Sequence, residues 1–272
     1  MKELDLEEIK KIQLGILEYV NDFCLENKIG YFLTAGTLIG AIRHKGYIPW
    51  DDDIDIGMLR PDFNAFLELF NSVESPYKVL HRSVDPSFPY EFAKVVDTRT
   101  LVVENTSYDY PLGLNIDIFI FDSVPNETNI LKYIDHKVKL LTGVILCKTL
   151  DLLLPGSSKR STICKKLIFP FAWVFKHFYT IESITGKFDK LALKYEDCNS
   201  DYVASICCRW FSPNKVFPRS WVERTVDVEF EGLKFKAPLE YDKYLQLFFG
   251  NYMELPPVEE RVTHHDYKAY RK

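Results

Sequence analysis

The stretch from Tyr31 to Gly57 constrains this chain more than any other. It reads as strand, tight turn, short helix, loop and second strand. Along the second strand Asp53, Asp55 and Gly57 alternate with Ile54, Ile56 and Met58. Side chains at i and i+2 of a strand share a face, so both carboxylates point one way and the isoleucines enter a core. Two parallel carboxylates repel each other unless a cation lies between them. Hard oxygen ligands suit Mg²⁺, commonly held by one or two carboxylates plus substrate phosphates. Gly36 and Thr37 supply the other half of the pattern. They end the first strand, Tyr31–Thr34, and open a helix expected over 37–44. There, unpaired N–H groups and the positive dipole end can hold a phosphate. Gly36 allows a close backbone approach, and the Thr37 hydroxyl adds a donor.

A Gly-Ser/Thr turn followed by Asp-x-Asp on the next strand is the signature of the nucleotidyltransferase superfamily. The longer run, from Gly36-Thr37-Leu38-Ile39-Gly40 through Pro49-Trp50-Asp51-Asp52-Asp53-Ile54-Asp55-Ile56, resembles the LicD family of phosphorylcholine transferases. The fukutin-related proteins resemble that family too. The likeness runs over 31–58 and more thinly over 90–122 and 239–265. It implies an α+β fold: a nucleotidyltransferase-like mixed β-sheet core with flanking helices. It also implies a CDP-choline donor, or a related CDP-alcohol, and a glycan or lipid-linked glycan acceptor of the teichoic acid or lipopolysaccharide type. Mg²⁺, as one ion or two, or Mn²⁺ in its place, is the implied cofactor.

The resemblance also implies a third carboxylate on a neighbouring strand to finish the metal site, and Asp117 is where it would sit. Leu114–Phe121 reads as a buried strand with this single charge, sharing a face with Asn115 and Phe119. An ionised aspartate there is costly unless paired or bound to metal, so a salt bridge is the competing reading. Asp122 reads as a turn residue just beyond the strand. Lys94, inside the apolar run Phe92–Asp97, either reaches a phosphate or lies on an exposed sheet face. Arg43 and His44, with Lys45, close the helix after the Gly-Thr turn. They either neutralise donor phosphates, as phosphoryl transfer requires, or decorate a helix C-terminus that favours cations. A choline head needs aromatic walls; Trp50, Tyr90, Trp210 and Phe211 are available.

Elsewhere the chain reads as scaffold. An amphipathic helix is expected over 4–28, stopped by Gly30. Pro61 opens a helix to about Val73. Strands are expected at 77–82, 90–97, 100–104, 114–121 and 202–206, with a hairpin over 225–230 and 233–236 turning at Glu231-Gly232. Helical patterns cover 129–154, 163–181 and 186–198, and a last helix opens at Pro238. The tail carries His264, His265 and Asp266, either metal ligands or surface residues. The expected organisation is a catalytic core over 1–125, a helical subdomain over 126–200, and a C-terminal segment over 201–272 that packs on the core or caps it.

The net charge is −5, yet residues 137–176 hold eight basic residues and one acid. The acidic remainder makes nucleic acid a poor partner. The basic stretch, interleaved with aromatics, fits a peripheral membrane contact as well as a plain helical subdomain. Neither apolar run there has eighteen uninterrupted apolar residues, so neither should span a bilayer. Met1 to Glu8 is acidic and polar, unlike a secretory signal. The six cysteines lack Cys-x-x-Cys spacing, which disfavours a zinc site or disulfide scaffold. A cytoplasmic protein, peripheral at the inner face of the cell membrane, is the expectation. Two rivals remain open: the same core transferring another polyol phosphate or a nucleotidyl group, and a non-catalytic nucleotide-binding module at the membrane.

Overall fold

A computed structural model describes residues 1–104, 110–149, 180–198, 200–262 and 267–272. In chain order the elements are β1 (Lys2–Glu3), α1 (Leu6–Asn27), β2 (Phe32–Leu33), α2 (Ala35–Arg43), β3 (Asp55–Leu59) and α3 (Arg60–Phe70). Then follow β4 (Tyr77–Leu80), β5 (Ala93–Asp97), β6 (Thr100–Glu104), β7 (Asn115–Ser123), α4 (Thr128–Thr149) and α5 (Ile181–Leu193). The remainder is β8 (Tyr202–Ala204), β9 (Phe217–Pro218), β10 (Thr225–Phe230), β11 (Leu233–Pro238), α6 (Tyr241–Phe249) and β12 (Tyr267–Arg271). The chain is therefore α+β.

The central sheet is mixed, in the order β2-β3-β7-β5-β4, with β8 and β9 continuing from the far end of β7. β3 and β7 run parallel; β2, β5 and β4 are antiparallel to their neighbours. One face carries α1 and α3. α3 buries Phe63, Phe66 and Phe70 completely, each stabilising the fold by about 1.5–3 kcal/mol relative to exposure. The β10–β11 hairpin and α6 join the same apolar cluster through Phe230, Phe235, Tyr244 and Leu245. A second cluster lies between α4, α5 and residues 204–211. A third lies under a small separate sheet, β1-β12-β6.

Local chemistry explains most boundaries and corrects several expectations. α1 starts on a capping box: the Asp5 side chain accepts the Glu8 N–H, and Glu8 reaches back to the Asp5 N–H. It ends at Lys28, which takes the left-handed conformation (φ 57°) usually left to glycine. Gly30 is thus not the stop signal. Its N–H donates to Asp62 Oδ1 at 2.7 Å, and a Cβ there would lie 3.1 Å from the same carboxylate. α3 stops at Phe70, short of Val73. α5 begins at Ile181, earlier than 186, because Thr180 caps it by accepting the Ser183 N–H. Pro238 is the last residue of β11 rather than the start of a helix. At the hairpin turn Glu231 and Gly232 both have positive φ (52° and 77°), the two-residue turn whose twist suits paired strands.

Asp122 is no turn residue. It lies inside β7, 2% exposed, with Arg60 Nε donating to its Oδ1 at 2.6 Å. Nothing in the sequence pattern signals Lys2–Glu3 or Tyr267–Arg271 as strands, because β1 gains its pairing only from β12, and β12 from β1 and the distant β6. The expectations for 150–179, including the second apolar run and most of the basic stretch, lie outside the described residues. So do those for His264, His265 and Asp266. Among the described residues no helix is long and apolar enough to cross a membrane. The described cysteines Cys24, Cys198, Cys207 and Cys208 are free thiols.

Candidate active site

The sheet register builds a row of charge. Asp55 on β3 stands directly opposite Asp117 on β7, and Asp117 stands directly opposite Lys94 on β5. The Lys94 ammonium donates to Asp117 Oδ1 at 2.6 Å. The Asn115 side-chain amide, two residues along the same face, donates to the same oxygen at 2.8 Å. Lys94 is therefore not on an exposed face: it is 6% exposed. Its ammonium lies 4.8 Å and 5.1 Å from the ring centres of Tyr90 and Phe92, and it forms the salt bridge to Asp117 that the competing reading expects.

Asp55 is buried. Burial pushes its carboxyl well above the usual range. Three acids, Asp53, Asp117 and Asp51, push the same way, and Lys94 opposes them. This accumulation of like charge can be relieved by a proton or by a cation. Ile54 and Ile56 are fully buried, as the alternation requires. Asp53 lies just before the strand proper, in an extended segment, and is partly exposed.

Gly36 and Thr37 reach this row from α2. The helix begins at Ala35, so both residues lie in its first turn. Ala35 has φ 45°, a left-handed conformation costing roughly 1–2 kcal/mol in a residue with a Cβ; it makes the sharp corner between β2 and the helix. Thr37 Oγ1 accepts the Asp55 N–H at 2.8 Å, which ties the turn to the aspartate strand and leaves the hydroxyl proton to be donated. A Cβ on Gly36 would lie 2.5 Å from Asp51 Oδ2. The space beside this glycine therefore receives a carboxylate of the chain itself. Sequence reasoning missed Asp51; its only signal was the three-aspartate run.

Arg43 and His44 stand at the other end of α2, about 12 Å along the axis at 1.5 Å per residue. Arg43 is committed to the C-terminal segment: Nη1 donates to the carbonyls of Tyr252 (2.6 Å) and Glu254 (3.2 Å), and Nε to His44 Nε2. Burial and then Arg43 hold the His44 imidazole below its usual pKa, consistent with a neutral ring that accepts. His44 meets Trp50 edge-on, and the Arg261 guanidinium lies 5.5 Å over the Trp50 ring. The Thr34 and Tyr244 hydroxyls are 2.6 Å apart, fastening α6 to the strand that leads into α2. Tyr244 and Arg261 are site neighbours that only the folded chain could reveal.

The four aromatics available for a choline head lie in different settings. Trp210 is 57% exposed, Phe211 is buried in the second apolar cluster, and Trp50 is engaged with His44 and Arg261. Tyr90 lies against the charged row, its ring centre 4.8 Å from the Lys94 ammonium. All of the carboxylates there offer hard oxygens, the donor type Mg²⁺ and Mn²⁺ take. Among the described residues no three acidic, histidine or cysteine side chains close on one point as a finished metal site. The arrangement therefore fits a cation held by one or two carboxylates and completed by phosphate oxygens, rather than a cage made by protein alone.

Three findings from known proteins bear on this geometry. The family model described as LicD/FKTN/FKRP, nucleotidyltransferase domain, matches residues 28–141, which contain α2 and the entire charged row. The lipopolysaccharide cholinephosphotransferase LicD of Haemophilus influenzae is 33% identical over 276 residues, covering 99% of each chain. The ribitol 5-phosphate transferase FKRP of Homo sapiens is 37% identical over 57 residues, 21% of this chain and 10% of that one.

Proposed function

The chain belongs to the LicD family of transferases, and on that premise we propose that it moves phosphocholine from CDP-choline to a sugar hydroxyl of a cell-surface glycan. The observation that carries the reading is end-to-end similarity to a lipopolysaccharide cholinephosphotransferase. It sets aside the non-catalytic binding module. The charged row supports the chemistry, since phosphoryl transfer is mainly positioning plus charge stabilisation.

Asp53, Asp55 and Asp117 are the carboxylates from which Mg²⁺ or Mn²⁺ would take one or two, with phosphate oxygens completing its shell. When bound, the cation would supply Lewis-acid stabilisation of charge on the diphosphate and the leaving CMP. The chain's own residues do the rest. The first-turn N–H groups of α2 at Gly36 and the Thr37 hydroxyl face the donor phosphates. Lys94 adds fixed positive charge at the row. Tyr90, whose ring already carries that ammonium, is the aromatic best placed for a quaternary ammonium. Arg43 acts through the tail by holding the carbonyls of residues 252 and 254, and His44, which accepts from Arg43, packs edge-on against Trp50. We propose a peripheral contact with the inner face of the membrane through residues 137–176, which would bring a lipid-linked acceptor to the site.

The test is release of CMP from CDP-choline, with and without Mg²⁺, in the presence of membrane-derived glycolipid. Release that needs both metal and acceptor is expected. Release from CDP-ribitol but not CDP-choline would keep the mechanism and change the cargo, as the shorter likeness to a ribitol 5-phosphate transferase allows. No release from any CDP-alcohol would sink the proposal.

A further inference from the structure

Both donors to Asp117 converge on one oxygen. Lys94 Nζ and Asn115 Nδ2 each bond Oδ1, at 2.6 Å and 2.8 Å, and no described residue donates to Oδ2. The two donors come from fixed places. Asn115 is on the same strand and face as Asp117, while Lys94 is its direct partner on β5. The ammonium is itself confined, with Tyr90 and Phe92 beside it and the Phe92 ring packed at a tilt against Phe119, centroids 4.9 Å apart. A carboxylate pinned at one oxygen by two donors has lost the freedom to rotate about its Cβ–Cγ bond.

Strand order decides where the other oxygen goes. β7 lies between β5 and β3, so drawing Oδ1 toward Lys94 on one side turns Oδ2 toward Asp55 on the other. We infer that Lys94 and Asn115 are positioning residues, which hold Asp117 so that its second oxygen faces Asp55 and serves as a cation ligand. This rests on the metal-dependent reading above and deepens it. It gives Lys94 a task distinct from phosphate binding, and it gives Asn115 a task where the sequence offered none. Groups that orient a metal's ligands commonly change metal affinity 10- to 100-fold when removed.

The test is the Mg²⁺ concentration that half-saturates calorimetric binding of CDP-choline to the purified full chain, with thermal melting measured alongside. Asn115→Leu keeps the branched shape and the local charge but removes the donor. It should raise the half-saturating Mg²⁺ about tenfold or more while melting close to the wild type. Lys94→Met is the second variant, and it separates orientation from simple electrostatics. Removing a positive charge by itself strengthens cation binding, so a raised Mg²⁺ requirement there points to lost orientation. Variants that melt lower but keep the wild-type Mg²⁺ requirement would overturn the inference and leave a structural ion pair. Wild-type binding of CDP-choline with no Mg²⁺ dependence would overturn the metal reading together with this one. Mg²⁺-dependent wild-type binding with unchanged variants would overturn only this one.

Discussion

Asp117 and Asp122 occupy one strand, an odd number of residues apart, and so point to opposite faces of the sheet. Each makes one ion pair at 2.6 Å. Asp117 and Lys94 retain 15% and 8% side-chain exposure, and their pair lies in line with a third charge, Asp55. Asp122 and Arg60 retain 3% and 6%, and Arg60 Nη2 and Asp122 Oδ2 are buried with no hydrogen-bond partner among the described residues. The same residue type thus does two jobs on one strand, separated by face and by company. A pair open at its rim, next to surplus negative charge, can exchange a partner for a substrate or an ion. A sealed pair can only hold the elements around it together.

The largest effect that tests this contrast is on turnover. Asp117→Asn should lower the rate of CMP release by about a thousandfold or more, several kcal/mol of charge stabilisation at 1.36 kcal/mol per tenfold, with a smaller loss of stability than at Asp122, because Asp55 remains near the Lys94 ammonium. Asp122→Asn should do the reverse. Urea denaturation should show a loss of about 3–5 kcal/mol, because a buried guanidinium is left uncompensated, while the surviving folded protein keeps most of its rate. Replacing both partners, Arg60→Met with Asp122→Leu, should recover much of that stability. If instead Asp122→Asn abolished turnover at full stability, the division between the two faces would be wrong.

A smaller effect is expected at Gly36. Its Cβ would meet Asp51 Oδ2 at 2.5 Å, so Gly36→Ala must displace that carboxylate. Turnover should fall about tenfold to a hundredfold, with stability close to the wild type by the same urea titration. An unchanged rate would separate Asp51 from the site.

The smallest effect concerns pH. Asp55 holds its proton more tightly in the folded chain than in the unfolded one. The unfolded state therefore ionises first as pH rises above 3.8, the ordinary value, and the folded protein loses stability through that window and up to its own raised pKa. A bound cation removes this cost. Mg²⁺ should accordingly raise the melting temperature by about 2–4 °C more at pH 8 than at pH 5. An equal shift at both pH values would mean that the ion binds elsewhere.

Much of this was legible in the sequence where the signal was local. The alternation through Asp53, Ile54, Asp55 and Ile56 placed two isoleucines in the core and one carboxylate on the site face. The strand expected at 100–104 has those bounds in the structure, and the hairpin turns at Glu231-Gly232 as its residues require. The failures are long-range. Lys94 and Asp117 are both visible as lone charges in apolar strands, yet only the pairing of β5 with β7 makes them partners. Asp122 looked like a turn because its stabilising arginine, Arg60, lies at the start of a distant helix. Lys28 replaced Gly30 at the end of α1 because Gly30 is required elsewhere, against Asp62.

The small sheet β1-β12-β6 pairs residues 2–3 and 267–271, and 267–271 in turn with 100–104. During synthesis β6 emerges early and must wait with an open edge until residue 267 and its followers leave the ribosome. Over that interval Leu4, Ile9, Val102 and Leu112 lack the strand that completes their cluster. An unpaired strand edge beside apolar surface is an aggregation hazard. A product cut short before Tyr267 would contain every residue of the charged row and still carry that edge exposed, so chaperones and proteases could distinguish it from the finished chain by an unclosed sheet far along the sequence from the chemistry.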